Sequence, residues 1–214
     1  MNGIRTICGT LAIIVTMLCG CSRAQDPVAA SEENLRDKRV LIVYLSRTNN
    51  TKAIAEMIHG HTGGKLVPFE IRDPYPTDYR ATVDQVAREN ETGFLPVLKT
   101  DIDSLETYDL VFIGFPTWGM QLPPPVKSFL HKYKLDGKTV IPFNTNAGYG
   151  IGTSFQTVNT LCPNSTVLEG FSIQGGIERD GVLFVMEGDK KIKAASEVKR
   201  WLQKIKVITT DNSR

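Results

Sequence analysis

The sequence predicts an α/β fold, a doubly wound five-stranded parallel sheet with helices on both faces. Short apolar runs alternate along the chain with longer segments of helical period. The runs are continuously apolar rather than alternating, the pattern of strands buried on both faces. Each strand is followed by a helix, the order that parallel βαβ units require.

The elements follow in order. Val40 to Leu45 is the first strand, and Ala53, Ile54, Met57 and Ile58 mark the inner face of the helix behind it. Lys65 to Ile71 reads as the second strand, and Asp78 to Glu91 as a helix carrying Val83, Val86 and Ala87. After a loop, Leu110 to Phe115 is a fully buried strand, with Val126 to Tyr133 as its helix. Val140 to Phe143 is the fourth strand, Gly152 to Leu161 a helix, and Val167 to Ile173 the fifth strand. Lys191 to Lys206 closes the domain as an amphipathic helix with Ile192, Ala195, Val198, Leu202 and Ile205 inward. There is no internal repeat and no low-complexity segment.

The N-terminus is read separately. Residues 1–20 carry one charge, Arg5, then an apolar run from Leu11 to Leu18 interrupted by Thr16. That is the pattern of a secretory signal, and the run is shorter than the ~20 residues a bilayer span needs. It ends in Leu18-Cys19-Gly20-Cys21, which resembles a bacterial lipobox. The resemblance implies cleavage before Cys21, acylation of its thiol and a membrane-anchored lipoprotein on the periplasmic or cell-surface side. Cys19 is the alternative position, and the small Gly20 favours Cys21. Residues 21–37 are polar and aperiodic, a flexible tether. The folded domain is expected over 38–206, with 207–214 as a tail.

Charge and cysteine content exclude several classes. The formal charge is +2 for the whole chain, and 2 − 1 = +1 once Arg5 leaves with the signal, so nothing marks a nucleic-acid binder. Of four Cys, only Cys162 lies in the domain, which rules out a disulfide within it. It reads as a small loop or core residue. His59, His61 and His131 lack the spacing of metal ligands.

In an open parallel sheet a ligand sits beyond the carboxyl ends of the strands, where strand order reverses. The first loop there is Ser46, Arg47, Thr48, Asn49, Asn50 and Thr51, and all six side chains can donate hydrogen bonds. With the amides at the start of the following helix they form a cup for a phosphate dianion, which the helix dipole favours. The second loop, "GFPTWGM", sets Trp118 among Pro116, Thr117 and Gly119. Such a Trp is placed to offer its face to a planar ligand. The third, from Asn144 to Gly152, has three glycines within five residues, which let backbone approach a ligand around Gly148. Asn144, Thr145 and Asn146 add polar edges, and Tyr149 a second aromatic wall.

These three loops, in this order, resemble those of the flavodoxin-like family over nearly all of Val40 to Lys206. "SRTNNT" is similar to its phosphate loop, "GFPTWGMQLPPPVKSFL" to its isoalloxazine loop, and "VIPFNTNAGYGIGTSF" to its other flavin loop. The resemblance implies strand order 2-1-3-4-5 and bound FMN, its phosphate in the first loop. Asn49 stands where the family usually has Gly, and Asn tolerates a left-handed backbone better than most residues.

The function so implied is an electron carrier that works through FMN with a redox partner protein or small acceptor, the protein setting orientation and potential. Two alternatives stay open. One is a flavin-dependent NAD(P)H:quinone-type reductase, although no insertion is long enough to build a second pocket over the flavin. The other is a flavin-free binding lipoprotein.

Overall fold

The computed structural model describes Leu35 and residues 38–210. The expected signal peptide, Cys21, most of the expected tether and the last four residues lie outside the described residues. Among the described residues, no helix is long and apolar enough to cross a membrane.

Six strand segments form one sheet: β1 (Val40–Tyr44), β2 (Lys65–Pro68), β3 (Leu110–Pro116), β4 (Thr139–Asn146), β5 (Thr166–Val167) and β6 (Phe171–Gln174). All pairings are parallel, and the order is β2-β1-β3-β4-β5, with β6 also on β4. The helices are α1 (Asn50–Thr62), α2 (Tyr79–Thr92), α3 (Pro124–Lys132), α4 (Ser154–Leu161) and α5 (Gly188–Lys204). The doubly wound parallel architecture is therefore as the sequence predicts.

Alternate residues of β1 feed opposite faces, as the pleat dictates. Val40, Ile42 and Tyr44 join Ile54 and Ile58 of α1 and Val198 and Leu202 of α5. Leu41 and Val43 join Val126 and Phe129 of α3 and Val158 of α4. The expected inner face of α5 needs one correction. Ile192 is 68% exposed, and the face begins instead at Ala194, because the helix docks only from its second turn onward.

The expected strand Val167–Ile173 is also broken, and Pro142 supplies the reason. Val140 O accepts from Leu168 N, so in a parallel ladder residue 142 faces the same edge. Proline has no N–H to give there. Pairing stops after Val140↔Val167 and resumes at Phe143↔Phe171. Three edge residues thus oppose two on β4, a bulge of one residue. The carbonyl of Glu169, freed by the break, accepts from Trp201 Nε1 at 2.9 Å.

The third difference concerns α2. Its N-terminus is capped by Asp78, whose Oδ1 accepts from Ala81 N at 2.8 Å. Yet α2 contributes no residue to either hydrophobic cluster. Phe69, Ile102 and Leu105 from the flanking segments take that place on the sheet.

Candidate functional site

A cavity of about 900 Å³ opens above the carboxyl ends of the central strands. The loop after β1 forms one wall. Asn49 caps α1 in the left-handed region, φ 63°, the conformation its side chain tolerates. Ser46 Oγ accepts from Lys52 N at 3.2 Å. The amides of Thr48 to Thr51 have no acceptor among the described residues, as expected at a helix N-terminus.

The side chains of this loop divide by role. Thr48, Asn50 and Thr51 line the cavity with Arg47, while Ser46 and Asn49 do not. Asn50 is buried and holds the loop in place: its Nδ2 donates to Thr48 Oγ1 (2.9 Å) and Leu183 O (2.6 Å), and its Oδ1 accepts from Val185 N (3.1 Å). Because Thr48 Oγ1 accepts that bond, its own proton remains for a ligand. The hydroxyls of Thr51 and Thr145 meet at 2.8 Å, and one of their two protons is left over.

Arg47 is committed within the protein. Its guanidinium donates to Glu178 Oε1 (2.6 Å), Pro76 O (2.8 Å) and Thr77 O (2.7 Å). It ties the β1 loop to the segment before α2 and to the segment after β6.

The loop after β3 brings Pro116, Thr117, Trp118, Gly119, Met120 and Gln121 to the cavity. Trp118 and Gln121 bridge to one another across a tight turn, with Gly119 and Met120 both left-handed. The Trp118 ring stands edge-on to Tyr75, centroids 5.1 Å apart. Behind it the Tyr75 hydroxyl donates to Glu89, whose other oxygen accepts from Gln85 Nε2 at 2.8 Å. Burial first, then this hydrogen bond and the Glu89 charge, raise the Tyr75 pKa.

In the loop after β4, Thr145, Asn146 and Tyr149 line the cavity, together with Ala147 and Gly150. Asn146 Oδ1 accepts from the amides of Gly148 (2.8 Å) and Gly150 (3.2 Å) and so shapes the turn. Gly148 therefore serves in that turn rather than in the cavity lining. Asn144 is fully buried and does not line the cavity; its Nδ2 donates to Phe115 O (3.1 Å) and Thr117 Oγ1 (3.0 Å). Gly152 is required where this loop meets the previous one. Its φ is 54°, and a Cβ there would stand 2.0 Å from Met120 O.

Two walls are absent from the sequence reading. One is a face of α2, with Tyr79, Val83, Val86, Ala87 and Asn90 turned to the cavity. Their helical spacing was legible, and the polar Asn90 within that face was the signal that it did not meet a sheet. The other is Gly175 to Arg179 after β6, whose two glycines after an apolar strand repeat the logic of the third loop. Among the described residues no group of His, Cys, Asp and Glu could hold a metal ion. Cys162 is buried, and burial with the Asp136 charge pushes its thiol up to about 11.

Residues 39–188 match the family model described as flavodoxin. The chain belongs to the flavodoxin family. Among solved structures, a candidate flavoprotein from Bacteroides eggerthii is 28% identical, with 80% of this chain and 100% of that one covered at a TM-score of 0.64. A flavoprotein from Lactobacillus acidophilus, solved in complex with FMN, is 24% identical and shares the fold. There the coverage is 68% of this chain and 98% of that one, at a TM-score of 0.56. No curated protein matches the chain.

Proposed function

We propose that this flavodoxin-family protein binds FMN in the cavity and carries electrons to and from a redox partner protein or small acceptor at a membrane surface. The observation that carries the reading is the β1 loop. A left-handed Asn49 opens α1 beside the cavity, with unpartnered amides and the spare hydroxyl protons of Thr48 and the Thr51–Thr145 pair. That donor set suits a phosphate dianion, which a helix N-terminus favours by about 0.3–1 kcal/mol. FMN, when bound, supplies reversible uptake of one or two electrons.

The chain's own groups bind and orient. Thr48 and Thr51 hold the phosphate, while Arg47 stays paired with Glu178 and fixes the surrounding segments. Trp118 and Tyr149 flank the ring system, and the turn that Asn146 organises keeps backbone close to it. FMN titrated into the purified protein should bind at least about tenfold more tightly than riboflavin, a difference of about 1.4 kcal/mol. Equal affinities would remove the phosphate-loop assignment. Steady turnover of a nicotinamide with a quinone would replace the carrier by the reductase.

The membrane attachment is part of the proposal and rests on Leu18-Cys19-Gly20-Cys21. Cys21→Ser should abolish incorporation of labelled fatty acid in cells. Labelling that persists in that variant would place the lipid elsewhere.

A further inference from the structure

We propose that Lys127 is a positioning residue of this site, one that bolts α2 to the Trp118–Gln121 turn and holds a cation behind the cavity wall, so that reduced, negatively charged flavin is less disfavoured than it would be with a neutral residue at this position. The inference rests on the FMN reading above.

Lys127 lies in the opening turn of α3, just after Pro124 and Pro125. Its Nζ donates to Asn90 Oδ1 at 2.8 Å and to Gln121 Oε1 at 3.4 Å. Both acceptors line the cavity, one from α2 and one from the loop after β3. The ammonium therefore sits one side chain behind the wall and joins α2 to the turn after β3.

No carboxylate forms an ion pair with Lys127 among the described residues. Glu89, next to Asn90 on α2, is already committed to Tyr75 and Gln85. Two further effects oppose a cation at this position. The start of a helix carries partial positive charge, and burial lowers the Lys127 pKa. Two neutral amide oxygens offset these only in part. Negative charge arriving on the other side of Asn90 and Gln121 completes the balance, and reduction of a bound flavin delivers it there.

The test compares wild type with Lys127→Met, Lys127→Gln and Lys127→Arg. Dissociation constants for oxidised and for dithionite-reduced FMN are measured, together with the two-electron midpoint potential. The neutral variants should lose about tenfold in the ratio of oxidised to reduced dissociation constants, a fall of about 30 mV for two electrons. Lys127→Arg should keep most of that ratio. If the neutral variants bind both forms more weakly by the same factor, the lysine is only a scaffold and the proposal fails. It fails equally if neither neutral variant folds. Wild type that binds no FMN would instead overturn the reading on which the proposal stands.

Discussion

Helix α1 buries Ala53, Ile54, Ala55 and Ile58 in the hydrophobic cluster that it shares with the sheet and α5. Helix α2, one residue longer, buries Thr82, Val86 and Glu89, and none of them enters a hydrophobic cluster. Both carry apolar residues at helical spacing. In α1 that face meets strands, whereas in α2 Val83 and Ala87 remain exposed towards the cavity. The contrast separates two things that periodicity alone merges. A period of 3.6 reports that one side of a helix is covered, and the covering can be a ligand space as readily as a sheet.

The comparison can be broken first at its strongest point. Ile54→Ala in α1, at a fully buried position, should cost about 2–5 kcal/mol in urea unfolding, from lost transfer energy and the cavity left behind. A loss below 1 kcal/mol, about half the lower bound of that range, would mean that α1 is no better anchored than α2.

Trp118→Ala comes next, because Trp118 faces the α2 side through Tyr75. It should weaken FMN binding by about 1–3 kcal/mol through lost stacking and burial. The check is fluorescence in a Trp201→Phe background. Trp201 is buried with its indole N–H on Glu169 O, and that background should be less stable by about 1 kcal/mol. FMN seen to bind by absorbance while the remaining Trp signal stays constant would place Trp118 away from the flavin.

The smallest effect belongs to α2 itself. Val83 is 46% exposed, so Val83→Ala should change unfolding by no more than about 0.5 kcal/mol, with better helix propensity offsetting lost contact. Any clear effect should appear in ligand affinity instead. A stability loss approaching that of Ile54→Ala would show α2 to be a core helix after all.

The strand cores and the three loops that meet at the cavity were legible because their signals are local: continuous apolar runs, and turn residues at the strand ends. Contacts distant in sequence were not. Asn50 and Asn144 look in sequence like donors to a ligand, and each is spent on a carbonyl of the protein, Leu183 O and Phe115 O. Nothing near Arg47 in sequence announces Glu178. Lys127 reads as an ordinary helix lysine until the fold sets Asn90 and Gln121 against it. The broken edge strand was available in principle, since Pro142 sits inside the predicted fourth strand, but its effect falls on the neighbouring strand.

That break has a consequence for how the protein behaves in company. A long, flat outer strand is a template on which another chain can extend the sheet. Here one margin consists of β5 and β6, two and four residues long with a bulge between them. The opposite margin is β2, four residues with Lys65 exposed at one end and Pro68 at the other. Neither offers a run of free amides long enough to recruit a copy. Many such molecules crowded together would keep their sheets to themselves.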